Sequence, residues 1–248
     1  MIPNPIRTVL SSMRAHRVRA LLMGGQACVL YGAAEFSRDT DLVVVADAAN
    51  LARLRLALAD LRAEVIAVPP FTSRLLRRGH AIHFRCQHPS APRMRVDVMA
   101  KMRGVDACAQ LWTRRTTVEL PDGACIDVLS LPDLVQAKKT QRDKDWPMIR
   151  RLVEAHYFEH RANPNPAHVR FWLRELRTPE LLMEVARDHA RLCHRLATRR
   201  PVLAAAGRGG GQRALERALL AEEIAERARD RQYWLPLRAE LERLRHAT

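Results

Sequence analysis

Apolar residues recur three and four positions apart from Pro5 to Arg17, where Ile6, Val9, Leu10 and Met13 predict one face of a leading helix. A short apolar run, Arg19 to Met23, predicts a first strand, and Gln26 to Tyr31 a short helix stopping near Gly32. Thr40 to Val45 is β-branched and predicts a second strand. From Asn50 to Leu61 the stripe Leu51, Leu54, Leu58, Leu61 predicts an amphipathic helix whose apolar face is core. Glu64 to Val68 is a short strand candidate broken by Pro69-Pro70, and Arg74, Arg77 and Arg78 form a basic cluster before Gly79. Ala81 to Cys86 and Met94 to Met99 predict two strands, and Thr116 to Leu120 and Ala124 to Val128 a hairpin around Pro121-Asp122-Gly123.

After these strands the period changes. Ser130 and Asp133 resemble a capping box for a helix over Leu131 to Thr140, and Pro147 opens another over Pro147 to His156. Asn163-Pro164-Asn165-Pro166 is a break. Beyond it, Ala167 to Leu176, Pro179 to Leu196 and Gln212 to Arg231 read as helices, with a last helix after Pro236. The expected class is α+β: a mixed sheet flanked by helices, followed by an all-helical C-terminal region.

The chemistry concentrates between Leu21 and Val45. Gly24-Gly25 lets backbone approach a ligand closely. Asp39 and Asp41 stand two apart at the mouth of a strand, so their side chains share a face. Paired carboxylates call for a cation between them, and hard oxygen ligands suit Mg²⁺. In Val96-Asp97-Val98 the acid faces opposite to its valines, so with the valines on the core Asp97 faces the side of the pair. Each part also has an ordinary reading, as a turn, a solvated strand end and an outward strand residue; the combination is more specific.

The order Gly-Gly, short helix, Ser37-Arg38-Asp39-Thr40-Asp41-Leu42 and apolar strand resembles the DNA polymerase beta-like nucleotidyltransferase superfamily, closest to the abortive-infection (AbiEii-type) toxin branch. The likeness covers roughly residues 5–155. It implies a catalytic domain over 1–160; the break at Asn163-Pro164-Asn165-Pro166 then sets off a helical domain over 167–248, for which no likeness is seen. It also implies that Asp39, Asp41 and Asp97 hold Mg²⁺ (or Mn²⁺), and that Gly24 and Gly25 cradle the phosphates of a nucleoside triphosphate, assisted by Ser37 and Arg38. Lys138 or Lys139 would reach a phosphate, with Asp145 orienting it or the metal shell. Many relatives carry another acid three residues after that aspartate; here the position is Met148.

Charge narrows the partners. The net charge is +15, which favours polyanions. The excess is nearly all arginine, a bias that base composition of a genome also produces. Aromatics are only 5%, against a stacking platform for single strands. The five cysteines form no C-x-x-C pair, which fits a reducing compartment. Met1-Ile2-Pro3-Asn4-Pro5 has no signal-peptide pattern, and Ala20 to Ala34 is too short to span a membrane, so a cytoplasmic protein is expected. Gly207-Arg208-Gly209-Gly210-Gly211 reads as a connector, not a phosphate loop, since no strand precedes it. His156-Tyr157-Phe158-Glu159-His160 matches an inverted zinc-protease pattern. The proline break that follows, and the want of a compelling downstream ligand, favour an ordinary pair at a helix end.

Three functions compete. One is nucleotidyl transfer to tRNA or another RNA by a toxin-like enzyme with an antitoxin or regulatory partner. The second is the same transfer to a small cationic antibiotic, which the net charge disfavours. The third is a non-catalytic basic protein that binds nucleic acid or acts as an antitoxin.

Overall fold

A computed structural model describes residues 3–120, 122–207 and 211–246; Pro121 of the expected hairpin turn and residues 208–210 of the glycine-rich connector lie outside the described residues. The chain divides into two packed units, Met1–Ala137 with Tyr233–Thr248, and Lys138–Gln232.

The first unit is α+β. In order it runs α1 (Asn4–Ala15), β1 (Ala20–Met23), α2 (Gly24–Leu30), β2 (Thr40–Val44), α3 (Ala48–Asp60), β3 (Glu64–Val65) and α4 (Ser73–Arg78). It continues with β4 (Ile82–Arg85), β5 (Arg95–Met99), α5 (Cys108–Thr113), β6 (Thr116–Glu119), β7 (Cys125–Val128) and α6 (Leu131–Ala137). The seven strands form one mixed sheet in the order β3-β4-β5-β2-β1-β7-β6. β2 and β5 are parallel neighbours, and β2 and β1 antiparallel ones.

Alternation along the central strands sets the two faces. Ile82, Phe84, Val96, Val98, Leu42 and Val44 are buried on one side, while His83, Asp97 and Asp41 stay partly open on the other. Buried Asn50, at the start of α3, accepts from Arg19 N–H and donates to the carbonyls of Arg19 and Val45, tying the ends of β1 and β2. Asp47 caps α3 by accepting from Asn50 N–H.

The second unit is helical: α7 (Asp145–His160), α8 (Pro166–Glu175), α9 (Pro179–Asp188), α10 (Ala190–Ala197), α11 (Val202–Gly207) and the first part of α12 (Gln212–His246). The helix expected through Pro179–Leu196 is two, breaking at His189. The break expected at Pro236 is absent; α12 runs through it to His246. Proline there removes one N–H, and packing of the last turns holds the helix. Leu237 is buried, and Glu240 engages Arg78 and the buried His80 within the first unit. The helix expected to reach Thr140 ends at Ala137, so Lys138 and Lys139 follow it. The Asn163–Pro166 turn joins α7 to α8 inside the second unit.

Candidate active site

Sheet register brings the acids into one row. Asp41 on β2 lies opposite Asp97 on β5, and His83 on β4 lies opposite Asp97 on its other side. Cross-strand partners share a face, so His83, Asp97 and Asp41 stand side by side on the partly open surface. Asp39, two residues before Asp41, stands at the mouth of β2 and is partly exposed.

Gly24 borders the row. Its φ is +68°, and a Cβ built there would lie 1.8 Å from Asp41 Oδ2, so no side chain fits without moving the carboxylate. A Cβ on Gly25 would come 2.7 Å from Ser37 Oγ, and Ser37 Oγ donates to the Asp39 carbonyl at 3.3 Å. The loop carrying Ser37 to Asp39 is thus folded onto the glycine pair. The diglycine belongs to α2 as its first turn. Arg38 is exposed, with its guanidinium 5.9 Å from the Phe36 ring.

Asp97 is already paired. Arg95, two residues earlier on the same face, donates to it through Nε at 2.8 Å and an Nη at 3.0 Å, and His83 Nδ1 lies 2.9 Å from Oδ1. Burial pushes the Asp97 carboxyl up, but the hydrogen bonds from His83 and Arg95 outweigh it and hold it below the usual value. Arg95 is held protonated first by Asp97 and further by the charges of Asp39 and Asp41. Its guanidinium therefore sits in the field of all three carboxylates. Neither Arg95 nor His83 stands out in the sequence. The signal for Arg95 is present there, since the two-residue period that aligns Asp39 with Asp41 also aligns Arg95 with Asp97.

In the second unit Lys138 and Asp145 are both buried and bonded to each other at 3.1 Å. Asp145 also accepts from Thr140 Oγ1 and Arg142 Nε, each at 2.6 Å. Burial raises its carboxyl, but the Lys138 charge and these hydrogen bonds leave it below the usual value. Lys139 pairs with Glu175 at 2.8 Å. Elsewhere in this unit Arg187, Arg191, Arg195 and Arg199 are exposed. Arg200 is buried, bonded to Glu222 and to the carbonyls of Leu173 and Leu176.

Burial pushes the Cys86 thiol up to about 11 and that of Cys108 to about 12, which disfavours a thiolate at both. Among the described residues, one trio of ligand-type side chains has its ligand atoms all within 4.8 Å of one another. It is His156, His160 and His168, not the aspartates. Asp39, Asp41 and Asp97 nevertheless offer hard oxygen donors of the kind that could hold a divalent ion. Among the described residues no helix is long and apolar enough to cross a membrane. Comparison with models of known families found no match, and comparison with curated proteins found none either.

Proposed function

We propose that this protein is a metal-dependent nucleotidyltransferase of the DNA polymerase beta-like kind, moving a nucleoside monophosphate from a triphosphate to a hydroxyl on RNA. The observation that carries the reading is the in-register pair Asp41 and Asp97 beside Gly24, where backbone lies too close to Asp41 for any Cβ. Asp39, Asp41 and Asp97 would hold Mg²⁺, which neutralises charge on the transferring phosphoryl group when bound. Arg95 keeps Asp97 ionised and compensated until a ligand replaces it. Gly24 and Gly25 leave room for phosphate oxygens against backbone. The net charge of +15 favours a polyanionic acceptor over a cationic drug. A cytoplasmic, toxin-like role with an antitoxin or regulatory partner goes with this reading. The proposal rests on residues of the first unit, since Lys138 and Asp145 already compensate each other.

One observation favours a non-catalytic alternative: Arg95 and His83 already neutralise Asp97, as they would in a retired site serving a basic RNA-binding protein. Incubation with labelled nucleoside triphosphates, Mg²⁺ and total RNA separates the two. Label on RNA, lost by about 10³-fold in Asp41→Ala with an unchanged melting curve, supports transfer. RNA retention without label, in wild type and variant alike, supports the alternative.

A further inference from the structure

The three histidines of the second unit lie far from the aspartates in sequence and play no part in the proposed transfer. His156 and His160 are four residues apart on the last turns of α7, and so share a face. His168 arrives from the first turn of α8, after the Asn163–Pro166 turn. Asn165 fixes that arrival by accepting from the N–H groups of Ala167 and His168, both at 2.9 Å. The ring centroids are 4.4 Å apart for His156 and His160, 4.9 Å for His156 and His168, and 4.4 Å for His160 and His168.

Three imidazoles are crowded together and only partly satisfied, with Asn165 Nδ2 lying 3.0 Å from His168 Nε2. His168 Nδ1 is buried and has no hydrogen-bond partner. Glu159, the carboxylate beside His160, is 3.9 Å away and 71% exposed. Trp172 Nε1–H donates to His156 Nδ1 at 2.9 Å. Burial, and then the neighbouring histidines, push His156 down to about 4. Imidazole ligates metal through a neutral ring nitrogen, and three such nitrogens lie within 4.8 Å of one another here. A buried orphan nitrogen amid convergent rings calls for an electrophile that binds several of them at once.

We infer that His156, His160 and His168 form a binding site for a divalent transition-metal ion of the zinc class, joining the end of α7 to the start of α8. Imidazole nitrogen suits zinc, cobalt, nickel and copper and does not suit Mg²⁺. Three protein ligands leave a fourth position for water. Ligation at His156 Nδ1 exchanges the indole hydrogen bond for a metal bond. Glu159 is 71% exposed and belongs to solvent more than to the cluster, so the site is assigned to metal binding and not to proteolysis.

The test uses the full chain without an affinity tag. After dialysis against zinc and then metal-free buffer, elemental analysis should find one zinc per chain. Cobalt should give visible absorption of a low-symmetry, nitrogen-ligated site. Zinc at 100-fold over its Kd should raise the melting midpoint by about 5 °C, and Mg²⁺ should not. His160→Ala and His168→Ala, both at helix ends, should each weaken zinc by at least about 10-fold while keeping the metal-free circular dichroism spectrum. His194→Ala, an exposed histidine, should change nothing. Zinc binding that survives both cluster variants, or no stoichiometric zinc in the wild type, overturns the assignment. These readouts involve no nucleotide, so they stand or fall separately from the transferase reading.

Discussion

Asp97 and Asp145 are both aspartates held by basic partners, and both are kept below the usual carboxylate value, yet their surroundings differ. The Asp97 side chain is 15% exposed and its partner Arg95 is 43% exposed. The Asp145 side chain is 3% exposed and its partner Lys138 is 10% exposed. An exposed guanidinium can leave its carboxylate for water at little cost, since such surface pairs are worth about 1 kcal/mol or less. A buried ammonium cannot leave without stranding a charge. The first arrangement suits a site that exchanges its cation for a ligand; the second suits a joint that stays closed. Similar chemistry therefore serves two ends, and exposure of the counter-ion decides which.

The largest expected effect lies on the closed side. Asp145→Ala strands Lys138 and should cost about 3–5 kcal/mol in urea denaturation, whereas Asp97→Ala should cost about 1 kcal/mol. Equal losses would erase the contrast. The folded value of Asp145 is lowered, so its contribution is complete above the unfolded value of about 4 and fades as pH falls below it. Asp145→Asn should flatten acid destabilisation in that window.

Next comes the glycine that borders the acids. Gly24→Ala introduces left-handed strain of about 1–2 kcal/mol and must also displace Asp41. Gly32 has a similar φ, +72°, with nothing within 4 Å of where a Cβ would stand, so Gly32→Ala carries the strain alone. Melting curves should place the Gly32→Ala variant above the Gly24→Ala variant, and transfer assays should find activity lost only in the latter. The smallest effect tests exchange itself. Arg95→Gln removes a competing cation and should tighten Mn²⁺ binding about 10-fold by titration, equivalent to ~1.4 kcal/mol. Unchanged or weaker binding would make Arg95 part of a fixed pair like that of Lys138.

Strands were legible because one face is apolar and the other is not: Val96-Asp97-Val98 and the run after Asp41 declare their orientation in the text. The short helices α4 and α5 were not, since six residues barely hold one stripe. In α4 three arginines dominate the pattern, while the cap is Thr72 and the buried residues are only Leu75 and Leu76. His83 escaped because a cross-strand neighbour depends on register, which no local pattern reports. His168 escaped for a related reason. It comes eight residues after His160, across a turn that read as an ending, and only the packing of α8 on α7 brings it back. Proline at 236 misled because a lone residue's preference yields to burial of Leu237 and to the Glu240 pairs on the same helix.

That last stretch of α12 has a consequence for how the protein is made. Tyr233 to His246 belong to the unit that holds the seven strands, with Glu240 meeting His80 and Leu237 packing near Gly79. A ribosome delivers the strands long before it delivers these residues. The His80 imidazole meets its carboxylate partner only once a residue 160 positions further on has been made.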